Sequence, residues 1–161
     1  MTWDEFRDRL RVSLRSLTDR CCVVVVASDE RGCVQFFGTV DVLSAEASGP
    51  EVVGGAAVHG SDDPTMLAAG WEQSTRAQPN WSFDLPLPAM TSEYAALADR
   101  CVLALRDVFH LADPAELAYH AWREPDVQPA GVTWSPEQFD RLDPGEDPLP
   151  MPAMGLQPQS A

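Results

Sequence analysis

The chain has 161 residues, enough for one hydrophobic core, and carries 25 acidic residues against 11 basic ones, a formal net charge of -14. Every basic residue is arginine, so no lysine can form a Schiff base or a phosphate-binding loop. The acidity argues against nucleic acid and anionic membranes as partners. We expect a cytoplasmic protein that either repels its neighbours or holds a basic or apolar protein segment.

The N-terminal segment has the pattern of an amphipathic helix over residues 2–18. Thr2 and Glu5 have the spacing of a capping box. The apolar residues that follow recur at intervals of three and four, which predicts one apolar stripe. The segment is charged throughout, so we do not expect a signal peptide, and no run approaches the roughly 20 apolar residues of a membrane span.

Three apolar runs between Cys21 and Gly49 are separated by turn residues, which predicts an antiparallel meander of three strands. The first run, CCVVVV, does not alternate with polar residues. A continuous apolar run is typical of a strand buried on both faces. The amphipathic segments before and after the meander are expected to cover one of its faces.

The second and third strands of the meander alternate and carry two polar side chains, Gln35 and Glu46. Gln35 shares a face with Phe37, opposite Phe36, and Glu46 faces away from Ala45. The polar side chains either point to solvent or line a binding surface. We predict that Gln35, Phe37 and Glu46 belong to a protein-binding face.

The middle of the chain predicts a loop at residues 49–60, which are rich in glycine, and then three further elements. The sequence Asp62-Asp63-Pro64 begins a short helix that Gly70 ends. Alternation over residues 80–85 predicts a strand. Thr91 is a good cap for a long helix running to about Phe109, whose apolar stripe is wide enough to cover a sheet.

The composition changes at Glu124, beyond which the chain is rich in acids and prolines. We therefore divide it into a body of residues 1–123, ending in a short turn and a last strand near residues 119–122, and an acidic tail of residues 124–161. A brief capped helix at residues 136–142 presents Trp134 and Phe139, which we predict to contact the body or a partner. The segment from Pro144 is expected to be mobile.

Catalytic and metal-binding patterns are missing from the sequence. The four cysteines lie in apolar runs without CxxC spacing, which is typical of small buried side chains, and we predict no cofactor and no metal. His110 and His120 fall in different predicted elements. A small enzyme or ligand-binding protein that uses distant carboxylates with one of these histidines remains an alternative.

An ordered set of residues resembles type III secretion chaperones and YbjN-like proteins, and especially the actinobacterial TY-Chap domains grouped with them. The set spans residues 2–123 and comprises Trp3, Phe6 and Leu10; Val34, Gln35 and Phe36; Ala45, Glu46 and Ala47; Leu67, Gly70 and Trp71; Asn80 and Trp81; and Pro114, Ala115, Glu116, Leu117, Tyr119 and Trp122.

The resemblance implies an α+β fold with an N-terminal helix, a three-stranded antiparallel meander, a short helix, a further strand and a long C-terminal helix packed on one sheet face. It also implies a non-catalytic chaperone-like or adaptor protein, in some cases a homodimer, that holds a partner polypeptide on sheet and helix surfaces. An immunity-type module that neutralises a basic protein by charge is a second alternative.

Overall fold

The computed structural model describes residues 1–29, 31–49 and 63–159, and most of the predicted loop at residues 49–60 lies outside them. The described part is α+β, as predicted. Its helices are α1 (Trp3–Arg15), α2 (Pro64–Ala68), α3 (Thr91–Leu103) and α4 (Pro136–Phe139). Its strands are β1 (Cys21–Ala27), β2 (Cys33–Gly38), β3 (Val42–Ala47), β4 (Trp81–Pro86), β5 (Leu117–Arg123) and β6 (Gln157–Pro158).

The strands form one six-stranded sheet in the order β4-β3-β2-β1-β5-β6. The predicted meander is confirmed, and β4 and β5 extend it antiparallel on its two sides, while β6 runs parallel to β5. β1 is therefore an interior strand between β2 and β5. This position explains the uninterrupted apolar run, because neither edge of β1 is open and most of its side chains are buried.

α1 and α3 cover one face of the sheet. The capping box of α1 is confirmed, since Thr2 Oγ1 accepts from the Glu5 amide at 3.2 Å and Glu5 Oε2 accepts from the Thr2 amide at 2.7 Å. Phe6 and Leu10 are fully buried, in one core with Leu97 of α3 and the inward side chains of the strands. α1 ends at Arg15, three residues earlier than its predicted end.

The long C-terminal helix predicted from Thr91 to Phe109 is not present as such. The α-helix begins at Thr91 after Met90, so Thr91 is not the cap, and it ends at Leu103. A π-helical segment, Ala104–Val108, follows, with the Phe109 amide bonded to the Ala104 carbonyl at 2.9 Å. The wider π turn accompanies burial of Leu105, Val108 and Phe109 on the core side.

The described residues from Pro144 to Gln159 are docked on the body, which corrects the expectation of mobility from Pro144. Met151 and Met154 are only 6% and 0% exposed, and a 3₁₀ turn, Pro152–Met154, packs on α1. The Leu149 amide donates to the Ala121 carbonyl of β5 at 2.7 Å. The composition predicted disorder because prolines and acids dominate it, but its few apolar residues fall at the positions that reach the core.

Candidate protein-binding face

The face of the sheet opposite α1 and α3 carries every second residue of the strands. On the helix side, Val34 and Phe36 of β2 are buried, whereas Gln35 and Phe37 point to the other side and remain accessible. In β3, Ala45 is buried and Glu46 is half-buried. The predicted alternation of both strands is thus confirmed, and Gln35, Phe37 and Glu46 share one surface.

Strand register arranges this surface into two cross-strand rows. One row runs Asp84, Ser44, Phe37, Cys22 and Trp122, and the other runs Ser82, Glu46, Gln35, Val24 and His120. We call these ten residues the open face. Directly opposed side chains in such rows are close enough to form a continuous surface.

The centre of the open face is a concave, mainly apolar site of about 200 Å³. It is lined by central members of both rows, including Cys22, Val24 and Phe37, and by Trp122 at the end of the first row. Phe37 is 39% exposed although it lies on an interior strand of the sheet. An exposed aromatic ring at the middle of a sheet is the kind of apolar feature that marks an interaction surface.

Glu46, a member of the open face, is held in place by three side-chain amides. Its carboxylate accepts from Gln35 Nε2 at 2.7 Å, from Gln78 Nε2 at 2.7 Å and from Asn80 Nδ2 at 2.8 Å. Partial burial by itself raises the pKa of Glu46, but the bonds from Asn80, Gln78 and Gln35 outweigh it and keep the pKa below its ordinary value. The carboxylate is therefore charged and fixed in orientation at neutral pH.

The opposite side of the concave site is formed by β5 and Cys22. The rings of His120 and Trp122 lie 5.1 Å apart between centroids. Burial, with a smaller effect of the nearby Glu124 charge, raises the pKa of the Cys22 thiol to about 11. The thiol is neutral at physiological pH and lines the site as an apolar group.

Trp134 and Phe139, the other two predicted binding residues, lie outside this concave site. The predicted helix is present but shorter, at Pro136–Phe139, with Ser135 as its cap. The two rings pack edge to face at 5.8 Å between centroids, and no residue of α4 is buried. The structure thus brings together Gln35, Phe37 and Glu46 and leaves Trp134 and Phe139 as a separate aromatic pair on the tail.

Sequence reasoning did not predict Cys22 and Trp122 as part of the open face, nor Gln78 and Asn80 as hydrogen-bond partners of Glu46. For Trp122, the signal was its alternation with Tyr119 and Ala121 in β5, but only the pairing of β5 with β1 puts it beside Cys22. Gln78 and Asn80 reach Glu46 because β4 pairs with β3. Nothing in the local pattern of residues 78–80 indicates that partnership.

The two histidines of the enzyme alternative have different surroundings. His110 lies after the end of the π-helical segment, and its carbonyl accepts from Arg31 Nη1 at 3.0 Å. His120 lies on β5, with its Nε2 atom 3.4 Å from a carboxylate oxygen of Asp147 in the tail. In the described ranges, no three or more His, Cys, Asp or Glu side chains are grouped so as to hold a metal ion. No described helix is long and apolar enough to cross a membrane.

Comparison with known proteins relates the chain to one family. No curated protein and no solved structure matches it. A family model does match, over residues 1–123, the part of the chain that contains α1, β1–β5 and the whole open face. Its description is that of type III secretion system (YopN, CesT) and YbjN peptide-binding chaperone 3. The chain therefore belongs to the TY-Chap3 family of peptide-binding chaperones.

Proposed function

We propose that this protein is a non-catalytic chaperone or adaptor that binds an extended segment of a partner polypeptide across its open face. The observation that supports this most directly is the half-exposed Phe37 ring in a concave apolar site on the uncovered side of the sheet. Covering that ring and its apolar neighbours with a partner side chain releases water from both surfaces. Membership of a peptide-binding family supports the same reading.

Charge on the open face favours a partner segment with basic residues beside an apolar anchor. Glu46 lies beside the concave site with a charged, immobilised carboxylate. Asp84 is exposed at the end of the first row and accepts from Ser44 Oγ at 2.7 Å. The two rows that form the open face contain no arginine. A lysine or arginine flanking the anchor would therefore meet attraction on the β3–β4 side of the site.

The β4 edge of the sheet favours binding of a partner by burial of its side chains over binding by main-chain pairing with an added strand. The Glu72 amide donates to the Ser82 carbonyl at 2.8 Å, so the chain before β4 already bridges to its outer side. Pro86 ends the strand without an amide hydrogen to donate. These two features leave little free edge for an added strand at β4.

An array of synthetic extended peptides tests the proposal. Each peptide carries one central Leu or Phe, and matched sets flank it with arginine or with glutamate. We expect the arginine set to bind and the glutamate set not to bind. Binding of neither set, or equal binding of both, would contradict the proposed recognition.

Substitution of Phe37 by Glu locates the binding site. Placing a charge in the apolar centre should weaken binding of the best array peptide at least about tenfold, measured by Trp fluorescence or calorimetry. Val40→Glu is the matched control, because Val40 is 72% exposed in the turn after β2 and lies outside the open face. Equal loss in both variants would place recognition elsewhere.

Salt dependence distinguishes groove binding from neutralisation of a basic protein by charge. Binding that buries an apolar anchor should survive at about 0.5 M salt, where exposed charge pairs are strongly screened. Complete loss of binding at that ionic strength would favour the immunity-type function instead.

A further inference from the structure

The outer edge of β5 is occupied by the end of the chain. We call residues 147–159 the terminal segment. Its Leu149 amide donates to the Ala121 carbonyl at 2.7 Å, and its Gln159 amide donates to the Tyr119 carbonyl at 2.7 Å. The Tyr119 hydroxyl accepts from the Met151 amide at 3.0 Å. The terminal segment thus provides hydrogen-bond partners for the outer edge of β5, which the strands of the body leave unpaired.

Apolar side chains of the terminal segment fill a groove between β5 and α1. We define this terminal groove by Ser13 of α1, by Leu17 just after that helix, and by Tyr119 and Ala121 of β5. Met154 is fully buried, and Leu149 and Leu156 pack against the same core. The groove therefore accepts an extended chain with flexible apolar side chains. Tyr119 and Ala121 line it from the side of the sheet opposite to the open face.

The fit between the terminal segment and the groove is incomplete. A partly open pocket of about 170 Å³ remains between the C-terminal end of α1 with the two residues after it (Ser13, Ser16 and Leu17) and residues 149–153. The Ser13 hydroxyl is completely buried, and no other described group forms a hydrogen bond with it. Missing contacts along this pocket and an unsatisfied buried hydroxyl both make docking less stable than a complete fit would. An occupant with a larger side chain and a polar group at this point would fit better.

The chain before the terminal segment is anchored separately. The Asp143 carboxylate accepts from Arg123 Nε at 2.8 Å and from Arg20 Nη2 at 3.0 Å. The amide and carbonyl of Glu146 pair with those of Arg123 at 2.9 and 2.8 Å. The terminal segment has its own contact, with an Asp147 carboxylate oxygen 3.4 Å from His120 Nε2. Residues 147–159 are thus held by contacts other than those that anchor the preceding chain.

We propose that the terminal groove is a second peptide-binding surface, which the protein's own terminal segment occupies until an extended, largely uncharged partner segment rich in proline and in Met or Leu replaces it. This partner chemistry is that of the present occupant, PLPMPAMGL at residues 148–156. The proposal rests on the proposed peptide-binding function. It concerns a groove whose residues lie within the family match at residues 1–123, whereas its occupant, the terminal segment, lies outside that match.

A labelled synthetic peptide of residues 147–159 tests this proposal on the full chain. Met154→Glu removes the buried anchor of the tethered segment but leaves the groove unchanged. Because the apparent dissociation constant scales inversely with the fraction of open groove, we expect the peptide to bind this variant at least about tenfold more tightly than the unsubstituted chain. Met90→Glu is the control, since Met90 is exposed before α3, and it should bind as the unsubstituted chain does.

Two further measurements make the result decisive. Leu149→Asp weakens the same docking from a half-buried position and decides the question if Met154→Glu does not fold. In the unsubstituted chain, excess unlabelled peptide should accelerate hydrogen exchange at the amides of Met151 and Gln159 while β1 stays protected. Folded variants that bind the peptide no better than the control, with unchanged exchange, would overturn the proposal.

The same experiment separates this surface from the open face and from self-association. Phe37→Glu should leave binding of the 147–159 peptide unchanged even if it abolishes array binding. Array binding that fails while peptide binding succeeds would contradict the proposed function alone. Concentration-dependent dimers of the unsubstituted chain that the peptide dissociates would assign the groove to a second copy and overturn the partner assignment.

Discussion

Replacement of Glu46 by Gln tests whether three amides organise the open face. In the native protein, Gln35, Gln78 and Asn80 all donate to the two oxygens of this carboxylate. The substitution keeps the shape of the side chain but replaces one carboxylate oxygen with an NH₂ group. That group is a donor and faces an amide that is also a donor. It also removes the negative charge that strengthens the remaining bonds.

The expected loss follows from the number of bonds and their exposure. Hydrogen bonds to a charged group contribute about 1.5–3 kcal/mol each when buried, and neutral ones about 1 kcal/mol. Glu46 is only half-buried, so solvent replaces part of each lost bond. We expect the free energy of unfolding to fall by about 2 kcal/mol in urea titrations at pH 7.

The pH dependence checks the same mechanism. Because folding lowers the pKa of Glu46, its contribution is present above the ordinary value of 4.5 and is lost as the pH falls through the lower, folded value. The difference in stability between native protein and Glu46→Gln should therefore narrow below pH 4.5. Glu72→Gln, at an exposed position beside β4, removes the same charge and is the control. An equal loss in both variants, or a change under about 0.5 kcal/mol for Glu46→Gln, would refute the reasoning.

The remaining predictions concern the covered face and the tail anchor. Phe6→Ala and Leu105→Ala remove fully buried side chains and should each lower the free energy of unfolding by about 2–5 kcal/mol; an unchanged melting temperature in both would contradict the packing of the helices on the sheet. The Arg123 guanidinium lowers the pKa of Asp143 to about 2, so the anchor should hold above pH 4 and weaken as the pH falls towards 2. Asp143→Asn should accelerate hydrogen exchange at Glu146 already at pH 7, and unchanged exchange would show that the backbone pairing suffices.

Local signals predicted the elements of the fold well. The capping box at Thr2 and Glu5, the alternation in β2 and β3, and the cap at Ser135 each depend on residues within one turn or strand, and all are present. The π-helical segment was missed because an apolar stripe of suitable spacing fits an α-helix equally well. Burial of Phe109 at the end of that segment is decided by the core, not by its neighbours in sequence.

The residues of the site that the sequence did not predict are brought there by pairing between strands that are distant in sequence. Gln35, Phe37 and Glu46 were predictable as one surface because alternation places them there. Trp122 and Asn80 join them only through the pairing of β5 with β1 and of β4 with β3, across gaps of many residues. Composition likewise predicted a mobile segment from Pro144. Composition averages over residues, whereas docking depends on the position of single apolar residues such as Met154 relative to the core.

The open face and the terminal groove differ in the charge of the peptide segment that each is suited to bind. Arg123 and Arg20 of the body are paired with Asp143 of the tail. Arg31 pairs with Asp29 and Glu116 at the opposite end of β1 and β5. Because these cations are paired within the molecule, the excess of acidic side chains over the 11 arginines gives the protein surface a negative potential. The open face, bordered by fixed or exposed carboxylates, is therefore suited to a basic segment with an apolar anchor. The terminal groove, filled by methionine, leucine and proline, is suited to an uncharged one, so a single partner chain that alternates these two chemistries would engage both surfaces and gain affinity from their linkage.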